Sequence, residues 1–271
     1  MNSKETRVLI GSPVLQTPEI LKEFLSSVDR LDKEHLHVEY MFIDDNKDAD
    51  SVELLLDFQK QHKDTVITRW EDSSQYLRTE ITHHWNNRLM DKVGVMKNSI
   101  IQYALDNNFD CLFFIDSDLV LNKRLLKHLI SLEKDIVSEV FWTQWTPNSI
   151  PQPNVWLYDQ YNLSRQEVYE ELGSQESLIR KISFLEQLKT PGVYKVGGLG
   201  ACTLISRRAL LKGVNFSRID NLRSLVGEDR FFCIRAVVLG LELFADTHYP
   251  PYHIYRKSEL SGVPDFISAN S

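Results

Sequence analysis

Short apolar runs alternate with segments of helical period along most of this 271-residue chain. The runs "RVLIGSP", "HVEYMFIDD", "TVITRW" and "CLFFID" predict buried strands, whereas "SVELLLDFQKQH" and "DKVGVMKNSIIQYALDNN" predict helices. Strands that alternate with helices need crossover connections, and these favour parallel pairing. We therefore predict an α/β fold in which helices flank a mostly parallel central sheet.

The pattern changes in the segment 143–192, where "TQWTPNSIPQPNVWLYDQY" contains three prolines and several aromatic residues. The two stretches that follow, "SRQEVYEELG" and "ESLIRKISFLEQL", predict amphipathic helices. Trp142, Trp145 and Trp156 are equally compatible with stacking on a bound sugar or peptide and with a small local core.

The chain is long enough to form one large domain over residues 1–271. We predict that residues 1–142 and 193–247 form its two halves and that 143–192 is a small lobe. After the strand "LELFAD", the segment "THYPPYHIYRKSEL" has little helical period, which predicts a flexible, irregular tail over 248–271.

Composition narrows the classes of partner and compartment. A net charge of −7 and a pI near 5.6 argue against nucleic acid as a partner. Cys111, Cys202 and Cys233 are odd in number and far apart, which predicts buried reduced thiols. Because no apolar stretch approaches ~20 residues, we expect no transmembrane segment and a cytoplasmic protein.

Two acidic residues interrupt the apolar run "CLFFIDSDLVL", and they are Asp116 and Asp118. Two carboxylates beside an apolar core repel each other and lose hydration unless something compensates them. A divalent cation bound through oxygen, Mg²⁺ or Mn²⁺, would do so, and the alternative is that they cap a helix starting at Asn122. The same spacing at Asp48 and Asp50 lies in a polar run and predicts only a solvated loop or a helix start.

Five motifs in order, "VLIGSP", "FIDDNKD", "FFIDSD", "VGGLGACTLISRRAL" and "GEDRFFCIRA", resemble those of GT-A fold glycosyltransferases of the family 2 type. The resemblance implies a Rossmann-like domain that binds a nucleoside diphosphate sugar, with UDP-sugars foremost. It also implies transfer of the sugar to a saccharide, peptide or lipid-linked acceptor.

The resemblance assigns roles to residues around the donor. The positions that it implies for the nucleoside, the sugar and the metal-bound diphosphate are Ser12, Pro13, Val14, Asp44, Asp45, Lys97, Asp116, Ser117, Asp118 and Gly198. Either Asp44 or Asp45 could contact the base or ribose, and both could belong to a simple turn. For Lys97 the alternative is a solvated cation on a helix, and for Gly198 it is a tight turn.

The resemblance also implies the catalytic residues. Asp229 matches the general base, and Glu228 matches an accessory acceptor contact. The competing interpretation is that both carboxylates cap a helix N-terminus. A histidine after the last strand would complete the metal site, and the spacing selects His253, with His248 as the alternative. The pair His83–His84 is predicted to lie in a loop.

These features predict a metal-dependent glycosyltransferase, with inversion through one in-line displacement. A sugar-phosphate nucleotidyltransferase shares the α/β plan, but "GSPVLQTPEIL" lacks the Gly-rich, Arg-containing loop that such enzymes have after the first strand. A catalytically idle carbohydrate-binding protein is the other alternative, and hydrolysis of a nucleotide sugar would exclude it.

Overall fold

The computed structural model describes residues 5–71 and 86–270. The predicted loop with His83 and His84 lies outside these residues. The strands, numbered along the chain, are β1 Thr6–Val14, β2 Leu36–Asp44, β3 Thr65–Arg69, β4 Cys111–Phe114, β5 Leu119–Val120, β6 Ile136–Glu139, β7 Trp142–Thr143, β8 Gln152–Pro153, β9 Val155–Trp156, β10 Val193–Val196, β11 Gly198–Leu199, β12 Thr203–Ser206, β13 Leu243–Asp246 and β14 Tyr252–His253.

The α-helices are numbered in the same way. They are α1 Pro18–Asp29, α2 Ala49–Gln61, α3 Asn87–Asp106, α4 Leu125–Ser131, α5 Ser174–Gln187, α6 Arg207–Leu211, α7 Glu228–Val238 and α8 Val263–Ala269. A 3₁₀ helix spans Lys257–Gly262.

Within the described residues, a central sheet of eight strands has the order β10-β13-β6-β12-β4-β1-β2-β3. Strands β3, β2, β1 and β4 are parallel, as are β6 and β13, whereas β12 runs antiparallel between β6 and β4. The predicted α/β fold with a mostly parallel sheet is confirmed. Since parallel strands end on the same edge, the loops after β1, β2 and β4 meet there.

Alternating residues of the strands build two cores, one on each face of the sheet. Leu9 belongs to one apolar cluster, and its neighbours Val8 and Ile10 belong to the other. Helix α3 packs closely over the first face, and Gly11 in β1 permits this approach. A Cβ on Gly11 would lie 2.5 Å from Cγ2 of Ile100 in α3. The loop after β1 is thereby held against α3, which later contributes to the site.

The segment after β13 is irregular as far as Arg256 apart from β14, but it then forms a 3₁₀ helix and α8, which the sequence did not predict. The flexibility of residues 248–271 stays a prediction. β14 pairs with β5, and Ile254 and Val263 are buried in a small apolar cluster with Ile20 and Val120. Nonlocal pairing and burial fix this segment despite its two prolines and weak helical period.

The stretch "SRQEVYEELG" is not helical, so the first of the two predicted helices in 143–192 is wrong. Its apolar residues found no core: Val168 is 81% exposed and Tyr169 is fully exposed with a φ of 65°. The second predicted helix is present as α5.

Two smaller predictions are confirmed, one about an acidic pair and one about the cysteines. Asp48 is the N-cap of α2 and accepts hydrogen bonds from the amides of Asp50 and Ser51, so that acidic pair is a helix start. All three cysteines are buried and free. Across the described chain, no helix has the length and apolar character needed to cross a bilayer.

Candidate active site

A cavity of about 480 Å³ opens at the edge of the sheet where β1, β2 and β4 end. This volume lies in the range of small-molecule sites. The cavity brings together most of the residues that the sequence singled out. These are Pro13, Val14, Asp45, Lys97, Asp116, Ser117, Asp118, Glu228, Asp229 and His253.

Asp116 and Asp118 lie in the turn between β4 and β5, beside the last strand of the chain. The amide of Ile254 donates to the carbonyl of Asp118 at 2.8 Å, and β14 continues the pairing. As a result, Nε2 of His253 lies 3.6 Å from Oδ1 of Asp118. His248 lies elsewhere, against Asp246, so the geometry favours His253 over His248 at this site.

The donor set fits Mn²⁺ or Mg²⁺ in its chemistry, since two carboxylates and one imidazole are ligands that Mn²⁺ accepts. The aspartates do not cap the following helix, because α4 begins at Leu125 with Arg124 as its N-cap. Asp118 and His253 lie close together, with 3.6 Å between Oδ1 and Nε2. In the part of the chain that the structure describes, Asp116, Asp118 and His253 do not bring their ligand atoms within 4.8 Å of one another.

Glu228 and Asp229 both pair directly with a buried lysine in the wall of the cavity. Nζ of Lys97 donates to Oδ1 of Asp229 at 2.7 Å and to Oε1 of Glu228 at 3.2 Å. The N-cap of α7 is Gly227, and no side chain caps this helix end. The carboxylates lie in the first turn of α7 without capping it by a hydrogen bond, and they form an ion-pair network with Lys97. Lys97 is therefore not a solvated cation.

Burial and charge shift the pKa values of this network. Burial would lower the pKa of Lys97, but the charges of Asp229, Glu228 and Asp116 raise it above its usual value. Burial raises the pKa of Glu228, although Lys97 opposes the rise. Burial also raises the pKa of Asp116 to about 7, against the opposing effect of Lys97. Lys97 thus stays charged and links the Asp116 side of the cavity with the Asp229 side.

The ends of β1 and β2 form the remaining wall. Oδ2 of Asp45 pairs with Nζ of Lys92 at 2.5 Å, and both residues line the cavity. Asp44 is turned away from the cavity and pairs with Arg69. Ser12 is fully buried and its hydroxyl donates to the carbonyl of Pro13, so it supports the loop without lining the cavity. Of the two aspartates, Asp45 is the one placed to contact a ligand.

Two glycines of the glycine-rich segment have different surroundings: Gly198 packs against an aromatic ring, and Gly200 lines the cavity. A Cβ on Gly198 would lie 1.9 Å from the ring of Trp156, so Gly198 packs on this ring and does not reach the cavity. Gly200 does line the cavity, and a Cβ there would lie 3.2 Å from Oδ2 of Asp229. Trp156 is 5% exposed, whereas Trp145 is 47% exposed at the rim.

The cavity residues that the sequence interpretation missed include three with polar side-chain groups, Gln16, Lys92 and Tyr161. Lys92 and Gln16 are polar residues next to predicted ones, and Tyr161 lies in the insert. Nε2 of Gln16 is 3.4 Å from Oδ2 of Asp118, and its backbone amide donates to Asn46. The signal that could have identified Lys92 is its position, like that of Lys97, on the apolar face of α3.

We expect Gly200→Ala to lower transfer strongly at little cost in stability. The added methyl crowds Oδ2 of Asp229, and a shift of a few tenths of an ångström misplaces that oxygen. We expect about a tenfold loss of rate or more, since a misplacement of 1 Å can cost about 10². Gly173→Ala, which meets nothing within 4 Å, is the control. Parental rates in both variants would argue against a role for this oxygen.

Solved structures with the same fold include S. aureus TarS, which superposes with a TM-score of 0.54 at 15% identity, covering 97% of this chain and 39% of that chain. TarS 1–349 in complex with UDP gives a TM-score of 0.54 at 14% identity, with 98% and 65% covered. TarS 1–349 in complex with UDP-GlcNAc gives 0.53 at 15% identity, with 91% and 58% covered. The chain thus spans less than two thirds of each of these structures, and the likeness establishes the fold.

No curated protein sequence matches the chain. A family model does: "Glycosyltransferase family 25, N-terminal domain" matches residues 5–175, which is more than half of the chain. This match agrees with the predicted enzyme class. The chain belongs to the glycosyltransferase family 25 N-terminal domain family.

Proposed function

We propose that this chain transfers a sugar from a UDP-sugar to an acceptor nucleophile, with inversion and with help from Mn²⁺ or Mg²⁺. The observation that carries the proposal is one cavity lined by two pairs of side chains, an Asp118–His253 pair and an Asp229–Lys97 pair. The first pair suits a diphosphate with its cation, and the second pair suits an acceptor that must lose a proton. Complexes of TarS 1–349 with UDP and UDP-GlcNAc support the choice of UDP.

Each residue has a defined task in this reaction. Asp116, Asp118 and His253 would hold the cation, which stabilises the negative charge on the departing diphosphate. Asp45, held by Lys92, borders the nucleoside end beside Pro13 and Val14. Oδ2 of Asp229 accepts the proton of the attacking group, while Lys97 fixes the other oxygen and keeps the carboxylate oriented. The acceptor is a saccharide, a peptide or a lipid-linked group.

The direct test is transfer or hydrolysis of donor by the purified protein across a panel of UDP-sugars, with Mn²⁺ and with EDTA. A preferred donor should raise the free energy of unfolding by roughly 2.7 kcal/mol at a hundredfold excess over its dissociation constant. The anomeric configuration of the product, read by NMR, tests inversion. Release of UDP unaffected by EDTA would contradict metal dependence, and no turnover of any nucleotide sugar would support the idle carbohydrate-binding alternative.

We expect His253→Gln to weaken Mn²⁺ binding and transfer while the fold persists. The ring is held by Thr143, whose Oγ1 lies 3.0 Å from Nδ1, and by an edge contact with Phe141. Loss of a ligand should cost at least the roughly 10–100-fold in affinity that loss of a second-shell partner costs.

A point substitution is the cleaner test here, because deletion from Tyr249 would also remove β14, the buried Ile254 and α8. His37→Gln, on β2, is the control. Unchanged Mn²⁺ affinity in His253→Gln would exclude the imidazole as a ligand. Ordering of the tail by metal and diphosphate stays a prediction.

A further inference from the structure

Three metal-binding side chains meet at the end of β13, outside the cavity. Asp246 is the last residue of that strand, His248 follows two residues later, and His128 comes from α4. Their potential ligand atoms all lie within 4.8 Å of one another. In a tetrahedral zinc site with bonds of about 2.0–2.1 Å, ligand atoms are roughly 3.3 Å apart. Small adjustments of these side chains would therefore bring them to metal-binding distances.

The carboxylate of Asp246 lies between the two imidazole rings. Oδ1 is 2.7 Å from Nδ1 of His248, and Oδ2 is 3.0 Å from Nε2 of His128. Asp246 is fully buried, and the rings are only partly exposed. Three ligands of this kind with a fourth position open to solvent form the donor set of many zinc sites.

The nitrogen of His128 makes this more than an ordinary ion pair. Nε2 is buried, yet among the residues 5–71 and 86–270 no group meets it with hydrogen-bond geometry, despite the short distance to Asp246. A buried polar atom without a bond costs free energy. A cation shared by the three side chains would bind this lone pair and the carboxylate together.

A buried carboxyl group supports Asp246 from behind. Glu139 is opposite Asp246 in the register of β6 and β13 and is fully buried, and its Oε1 accepts from the amide of Tyr249 at 2.9 Å. The strand register thus places a buried carboxyl group directly beside Asp246, in the position of the groups that surround metal ligands.

We propose that His128, Asp246 and His248 bind one divalent transition metal ion, for which Zn²⁺ is the best match, at a site separate from the donor cavity. The ion would fasten α4 and the start of the tail to the sheet. Five residues after His248, the tail delivers His253 to Asp118. The site would therefore act as a structural clip behind the active site.

Co²⁺ binding to the metal-stripped full chain tests this proposal. The Asp118→Asn background removes a ligand from the donor cavity, so that the remaining binding reports the second site. We expect one Co²⁺ per chain with the visible absorption of a four-coordinate ion, displaced by Zn²⁺. In that background His128→Gln and His248→Gln should each lose at least tenfold in Co²⁺ affinity, whereas His35→Gln, whose ring is 83% exposed, should not.

His248→Cys gives a test of direct ligation that does not depend on affinity. A thiolate bound to Co²⁺ adds a charge-transfer band in the near ultraviolet, which a cysteine beside an unrelated ion does not. Circular dichroism checks that each variant is folded, and His248 is exposed enough for substitution. Three results would each overturn the proposal: no Co²⁺ binding in the Asp118→Asn parent, a Co²⁺ affinity in His128→Gln and His248→Gln equal to that of this parent, or no new band in His248→Cys.

Discussion

Asp229→Asn should lower the rate of transfer at saturating donor by about 10²–10⁴-fold, which is the usual contribution of a general base. This corresponds to roughly 3–5 kcal/mol of activation free energy. Asparagine keeps the size of the side chain, and its oxygen can still accept from Lys97. What it loses is the ability to accept a proton, so donor and metal affinity should change little.

The structure distinguishes the general-base role of Asp229 from the alternative role as a helix cap. Gly227 is the N-cap of α7, and Asp229 has its bond to Lys97 instead. A capping role predicts a small change in stability with normal turnover. Asp50→Asn provides the control, since Asp50 is an exposed carboxylate in the first turn of α2.

Two measurements on the same variant separate the outcomes, donor affinity by calorimetry and transfer rate at saturating donor. A rate within a few-fold of the parent would remove Asp229 from the chemistry. Weaker donor binding with an unchanged saturating rate would make it a donor contact instead. Lys97→Met should resemble Asp229→Asn in rate but also lose stability, because it leaves buried carboxylates uncompensated.

Local pattern was enough to predict the sheet and the loops at its edge. The apolar runs of β1, β2 and β4 are buried on both faces, and this continuity is typical of parallel strands. Once they are parallel, Pro13, Asp45 and Asp116 must come to one edge. That is why a sequence interpretation could predict that these residues lie together.

The helical period also contained information about Lys97. On α3 this lysine lies on the same face as Met96, Ile100, Ile101 and Ala104, all of which are buried. A cation at such a position must be compensated by carboxylates. The sequence could therefore have predicted a buried lysine, but not that its partners are Glu228 and Asp229, 131 and 132 residues away.

Long-range pairing decided what the sequence could not predict. The tail has no local preference strong enough to reveal β14, which exists because β5 offers it a partner. Likewise, Asp44 and Asp45 are neighbours with the same chemistry, and their roles diverge only because Arg69 lies beside one and Lys92 beside the other. In the same way, Gly198 and Gly200 differ in role only because Gly198 lies against Trp156 and Gly200 lies against Asp229.

The double variant Asp116→Asn with Asp118→Asn should abolish Mn²⁺-dependent binding of the UDP-sugar while the fold persists. Both carboxylates of the cation site are lost, and neutral amides hold a divalent cation much more weakly. Without the cation, nothing offsets the negative charge of the diphosphate. Calorimetry of donor binding with and without Mn²⁺ measures the effect. The matched control is Asp48→Asn with Asp50→Asn, which has the same spacing at an exposed helix start.

The same variant should be more stable than the parent when no metal is present, and increasingly so as the pH rises. The pKa of Asp116 is raised from 3.8 to about 7 in the folded chain, so its ionisation opposes folding. This penalty is absent below pH 4 and complete above pH 7, and asparagine never incurs it. Because one pKa unit corresponds to about 1.4 kcal/mol, the gain at pH 8 should be of order 1 kcal/mol or more. Urea unfolding in EDTA at pH 5 and pH 8 tests this, and a gain that is equal at both values, or a loss at pH 8, would show that Asp116 ionises without cost. Unchanged donor affinity in Mn²⁺ would separately exclude the pair from the cation site.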